Sequence, residues 1–130
     1  MAHTGLGYLL QDLREARGLS LRELSQLADI DHAYIYRLET GAKESPSSEV
    51  LTKLVRALKA SKREAEMLRY LAAHPNVEAG FVEYVSKDPS VSFDVFASAA
   101  GMVFRGPGRP DYATRIARVR QVLNGEDDRG

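Results

Sequence analysis

The chain contains no cysteine. That excludes a disulfide framework, a thiolate metal site and a thiol nucleophile. Long apolar runs are also missing: none approaches the roughly 20 residues that a membrane-spanning helix needs. The N-terminus lacks the basic stretch and long apolar core of a secretory signal, so a cytoplasmic location is the default expectation. Excess charge of one sign is absent as well. The 18 Lys and Arg residues match the 18 Asp and Glu residues, for a net charge of zero, and the two signs nearly balance in each half. Non-specific affinity for nucleic acid comes mainly from neutralising phosphates. A neutral chain therefore lacks a global basic field, and any DNA contact must rest on a local patch.

Catalytic patterns are equally scarce. His3, His32 and His74 stand far apart, and none belongs to an H-E-x-x-H arrangement. Gly106-Pro107-Gly108 is a G-x-G without the preceding strand and following helix that a phosphate loop needs. No G-x-S-x-G elbow or kinase signature occurs. The expectation is a protein that is not an enzyme and uses no metal or cofactor.

What the chain does have is the stretch LSLRELSQLADIDHAYIYRLETG, residues 19–41. Ser20 followed by Glu23 is the S-x-x-E pattern of a capping box. Leu21, Leu24, Leu27 and Ala28 then repeat at helical spacing and predict one apolar face. Asp31 can cap a second short helix, in which Ile35 and Leu38 point inward with Tyr34 at the margin. His32, Ala33, Tyr36, Arg37 and Thr40 fall on the other side, and Gly41 ends the helix. Two helices this short do not hold together alone in water, so a compact helical domain is implied around them. Arg suits paired hydrogen bonds to guanine, and a small residue such as Ala33 lets a helix approach thymine methyls.

The remaining periodicity predicts an all-α fold. A first helix runs from Leu6 to about Arg17 and is closed by Gly18. A polar loop, residues 42–48, leads to a fourth helix capped by Ser47 or Ser48, with Val50, Leu51, Leu54, Val55 and Leu58 inward. Ser61 and Glu64 form another capping box at the start of a fifth helix, which His74-Pro75-Asn76 stops. Residues 1–74 thus form one five-helix domain, and residues 75–130 a second region. In that region the spacing predicts helices over 77–87, 93–100 and 110–124, a connector at 105–110 rich in proline and glycine, and an acidic end outside regular structure. Three helices in about fifty residues are short of surface on which to bury their own apolar faces. The expectation is a homodimer paired through Phe81, Val85, Phe93, Phe96, Phe104, Tyr112, Ile116, Val119 and Leu123.

Residues 6–73 resemble the XRE (Cro-type, lambda-repressor-like) helix-turn-helix regulators. The resemblance rests on Leu13-Arg14-Glu15, Arg17-Gly18-Leu19-Ser20, Glu23-Leu24, Tyr34-Ile35, Arg37-Leu38-Glu39 and Gly41. It implies five helices, a double-stranded DNA operator and a dimeric repressor. By position His32, Ala33 and Arg37 match the base-reading slots, and Tyr36, Thr40 and Lys43 the flanking or phosphate slots. The family often has Gln where this chain has Leu21, which leaves Arg22 as the replacement contact. It also implies an internal pair between Arg14 and Glu39. A second resemblance covers residues 81–123, where D-P, a capped helix and F-R-G-x-x-R-P-D-Y look like the C-terminal part of DdrO/ImmR-like repressors. It implies inactivation by an IrrE/ImmA-type metallopeptidase, with Met102-Val103-Phe104-Arg105-Gly106 as the segment and Phe104 and Arg105 at its centre. The alternative from another class is an antitoxin or coactivator-like module that uses the same scaffold to hold a protein partner.

Overall fold

The structure, a computed structural model, describes residues 4–42, 45–102 and 111–129, with side chains through residue 124. Among these residues there are eight α-helices and no strand. They are α1 Gly5–Ala16, α2 Leu21–Ala28, α3 His32–Thr40, α4 Ser48–Leu58, α5 Lys62–Ala73, α6 Ala79–Ser86, α7 Phe93–Ala100 and α8 Tyr112–Arg129. The fold is all-α, in the expected order.

Local chemistry explains the boundaries. Thr4, Ser20, Asp31, Ser47, Ser61 and Ser92 each accept a hydrogen bond from a backbone amide of the helix that follows, as Asp111 does for α8. Such caps satisfy amides that the helix itself leaves unpaired. Both predicted capping boxes, Ser20 with Glu23 and Ser61 with Glu64, are formed reciprocally. Gly18 (φ +67°) and Gly41 (φ +78°) take the left-handed conformation that turns the chain after α1 and α3. Asp29 and Lys59 do the same without being glycine.

Three expectations need correction. Leu27 is 62% exposed, so the apolar face of α2 consists of Leu24 and Ala28, with Leu21 half-buried. The last helix does not stop at Asn124 but continues to Arg129. Finally, the C-terminal helices bury themselves against this chain's own body. Phe81, Val85 and Phe96 are fully buried, and Ile116 and Val119 nearly so. Together with Leu9, Leu10, Leu24, Ile35, Leu54 and Leu68 they belong to one contiguous hydrophobic cluster. Five of the residues expected to face a second copy are therefore interior. The fifty residues are not a separate body, so their small size does not leave these faces uncovered. In fact α6 lies on α1 and α7 on α5, which supply the missing apolar area.

Two polar devices join the C-terminal helices to the rest. Arg63 of α5 donates to the carbonyls of Val85 (2.6 Å), Asp88 (3.0 Å) and Val91 (2.9 Å), gathering the turn between α6 and α7. Glu78, just before α6, accepts from Tyr112 Oη (3.2 Å) and Arg115 Nη2 (3.3 Å) of α8. The Arg115 guanidinium also lies over the rings of Phe81 and Tyr112. Glu78 further makes an isolated antiparallel bridge with Thr4.

The first helix is the central member, touching α3, α5 and α6. Its closest approach is at Gly7. A methyl group there would collide with the backbone oxygen of Glu39 and lie 2.9 Å from that of Leu38. Helix propensity alone favours Gly7→Ala by about 1 kcal/mol. The clash is with backbone, which cannot step aside, so overpacking wins and the change should cost about 1–3 kcal/mol in urea unfolding. Gly18→Ala meets nothing within 4 Å and should cost only the left-handed conformation, about 1 kcal/mol. A Gly7→Ala protein as stable as the parent would refute this packing.

Asp12, on the side of α1 away from α3, gives a pH prediction. Burial first, then the neighbouring Glu15, pushes its carboxyl above the usual 3.8, and Lys87 offsets this in part. An acid with a raised pKa in the folded state holds its proton more tightly when folded, so its ionisation opposes folding. That penalty is absent below the unfolded pKa and complete once the pH exceeds the folded value. Asp12→Asn should therefore raise the melting temperature at neutral pH, with the gain vanishing by about pH 3. Equal melting temperatures at pH 7 would contradict it.

Candidate nucleic-acid interface

The exposed side of α3 is built by burial of its other side. Ile35 and Leu38 are 0% and 2% exposed, and with nine residues at 3.6 per turn their placement fixes the rest. His32, Tyr36 and Arg37 are exposed; Ala33 and Thr40 are half-buried at the edges. The structure thus brings His32, Ala33, Tyr36, Arg37 and Thr40 onto one helix, and it places Arg22 exposed on α2. Lys43 lies outside the described residues, as do Phe104 and Arg105.

The turn between α2 and α3 is held by short-range polar contacts. Ser25 Oγ donates to the Ile30 carbonyl (2.5 Å), and the Ala33 amide donates to Asp31 Oδ1 (3.4 Å). Asp29 supplies the left-handed residue at the corner. At the other end of α3 the Ala42 amide donates to the Arg37 carbonyl (2.9 Å), and Gly41 to Leu38 (3.4 Å). This satisfies carbonyls that the helix end leaves open.

Arg14 and Glu39 hold α3 from behind. Arg14 Nε and Nη2 donate to the two carboxylate oxygens of Glu39 at 2.7 and 3.0 Å, and Nη1 donates to the Leu19 carbonyl at 2.9 Å. Glu39 is 3% exposed. Its hydrogen bond keeps the Arg14 guanidinium more basic even than usual. The paired fork fixes the rotation of α3 relative to α1.

The electrostatics of the outer face are mixed. Arg37 carries the cation, with its guanidinium 6.0 Å from the centre of the Tyr34 ring. That contact biases the direction of an otherwise long, loose side chain. Asp31 stands beside His32, with Oδ1 3.8 Å from Nδ1, and caps the helix N-terminus with a negative charge. At the start of α2, hydrogen bonds to Ser20 hold the Glu23 carboxyl below the usual carboxylate range. Both N-termini nearest this face are therefore already occupied by the chain's own carboxylates or hydroxyls.

Sequence reasoning missed some features of this region. Leu27, whose spacing predicts burial, is 62% exposed, whereas Tyr36, at 53%, faces outward as its spacing predicts. The helical period puts Leu27 on the apolar face, three positions from Leu24, but among the described residues no neighbour covers it. Thr4 was also missed: it caps α1 and lies beside Gly41, where an added methyl would come within 2.9 Å of Thr4 Cγ2. A lone Thr in a loose-looking N-terminus carries no signal that could have shown this.

Among the described residues no group of three or more His, Cys, Asp or Glu is placed to hold a metal ion, and no helix is long and apolar enough to cross a membrane. Comparison with curated proteins and with solved structures returns no match. Residues 6–68, which span most of α1, all of α2 to α4 and the first half of α5, match the family model of a helix-turn-helix domain.

Proposed function

We propose that the chain is a sequence-specific, double-stranded-DNA-binding regulator of transcription, of the XRE type and acting as a repressor, that lays α3 in the major groove. The observation that carries this reading is the division of α3. Its inner side is sealed by Ile35, Leu38 and the Glu39–Arg14 pair, while His32, Tyr36 and Arg37 face solvent. Arg37 is the base-reading residue, through the two acceptors of a guanine edge. His32 and Ala33 complete the reading edge; Arg22, Tyr36, Thr40 and Lys43 serve the flanks and phosphates. With zero net charge, affinity for random DNA is weak, and selectivity comes from the few contacts of this face.

A single small domain gains specificity by pairing, and two copies on a two-fold operator set their recognition helices about 34 Å apart. Of the residues expected to pair, Phe93, Tyr112 and Leu123 stay accessible, and Val122 joins them. Phe93, Tyr112 and Leu123 are half-buried, and Val122 on the outer side of α8 is 62% exposed. Inactivation by a metallopeptidase cut within residues 102–106 belongs to the same reading. Such a cut separates α7 from α8 covalently and removes the gain in effective concentration that a tether provides.

A second reading has its own observation. Exposed Leu27 and Tyr36 on the two motif helices suit a protein partner better than a phosphate backbone, as in an antitoxin or coactivator-like module.

A gel shift with DNA selected from a random pool separates the two. The regulator reading expects a retarded complex, and Arg37→Ala should weaken it by about 1–3 kcal/mol and relax base preference at one position. Unchanged affinity and unchanged preference would remove α3 from the interface, and no retarded complex at low salt would favour the protein-partner reading. For pairing, sedimentation of the full chain should show a dimer that Val122→Glu converts to a monomer. A monomer at every concentration, with or without operator, would rule pairing out.

A further inference from the structure

We infer that Thr4 is a positioning residue for the recognition helix, and that the C-terminal helices act on that helix through it. The inference rests on the proposal that α3 meets DNA. Three observations meet at this residue. The Thr4 hydroxyl accepts from the Gly7 amide at 2.9 Å, which caps α1. The Thr4 backbone is bridged to that of Glu78. The Thr4 methyl sits against Gly41, the left-handed residue that ends α3.

Glu78 carries the connection onward. Its carboxylate takes Tyr112 Oη at 3.2 Å and Arg115 Nη2 at 3.3 Å, both from α8. The backbone on either side is equally close. A methyl at Gly5 would lie 2.8 Å from the Val77 carbonyl oxygen, and one at Gly80 would lie 2.7 Å from Tyr112 Oη. So the start of α1 is a thin wedge with the end of the recognition helix on one side and the entry to α6 on the other. Contacts this tight transmit displacement, because a packed interior does not deform smoothly. Gly41 ends α3, so holding Gly41 in place holds the end of the proposed recognition helix.

The two chemical parts of Thr4 can be separated. Thr4→Ser keeps the capping hydroxyl and deletes the methyl that touches Gly41. Thr4→Val keeps the methyl and deletes the cap. If Thr4 only capped α1, Val would do the damage and Ser none. As a positioning residue it gives the opposite pattern in function. Thr4→Ser should leave the melting temperature near that of the parent, speed amide hydrogen exchange at Gly41 and Ala42 selectively, and weaken binding to the selected operator several-fold. Thr4→Val should lower the melting temperature yet keep operator affinity, measured well below that temperature. Glu78→Gln, which weakens the hold on α8, should reproduce the faster exchange at Gly41 and Ala42.

Unchanged exchange at Gly41 and Ala42 in Thr4→Ser would overturn the seating. Faster exchange with unchanged operator affinity would overturn its role in DNA binding, and unchanged exchange in Glu78→Gln would cut the link to α8. Failure of the parent chain to bind any DNA would instead sink the reading of α3, while the exchange measurement still decides whether Thr4 seats Gly41.

Discussion

The whole arrangement depends on how closely the backbone of α1 is laid across the end of α3. Gly7 permits that approach, since any side chain would strike the carbonyl oxygens of Leu38 and Glu39. Two turns further along, Arg14 reaches over to grip Glu39 with a paired hydrogen bond. The two contacts differ in kind. The glycine sets the distance by shape, and the ion pair sets rotation by direction. A buried ion pair contributes little net stability compared with apolar residues of the same shape, but leaving one partner alone costs several kcal/mol, about 3–5. Its contribution here is to make one orientation of α3 far better than its neighbours. Whatever the outward side of α3 touches, it does so from a fixed platform.

Charge follows a different logic. The chain is neutral, and the salt of a cell screens charges beyond about 8 Å. Only groups close to a ligand then matter. Among the described residues near α3 these are Arg22 and Arg37 against Asp29, Asp31 and Glu23, with Glu39 already neutralised by Arg14. Asp31 at the N-cap also offsets the positive end of the α3 dipole, which favours anions when left open. A duplex would thus be held by directed hydrogen bonds more than by attraction at a distance. The consequence is discrimination with modest affinity, and that is the regime in which pairing of two sites is most useful.

Much of this was legible in the residues. Capping boxes at Ser20 and Ser61, the apolar stripe of α1 and the glycine after α3 gave the helices within a residue or two, because caps and periodicity act locally. The outward set His32, Tyr36 and Arg37 followed from the same period. What failed was long-range. Leu27 has the right spacing for the core, but its burial depends on whether a neighbour covers it, and none does. Phe81, Phe96, Ile116 and Val119 form a dense apolar set that the spacing predicts, yet what covers it is this chain's own body and not a second copy. Periodicity shows that a face needs covering and says nothing about what covers it. The contacts made by Arg63 and by Thr4 lie between elements far apart in sequence, and no local pattern announces them.

That misplacement changes the physical meaning of the C-terminal helices. Had they been an appendage, losing them would remove only a second copy and leave α3 as it was. They share one core with the helix-turn-helix domain. Phe81 stacks on Phe96 with ring centres 5.6 Å apart and parallel to within 11°, Arg115 covers Phe81, and Glu78 ties α8 to the residue that begins α1. Anything that detaches α8 therefore strips cover from Phe81 and releases Glu78 at once. Exposure of such aromatic area costs on the order of 25 cal/mol per Å², a direct loss from a stability that in small domains is only about 5–15 kcal/mol. Disruption at the C-terminal end thus reaches α3 through the body of a single molecule, before any question of pairing arises.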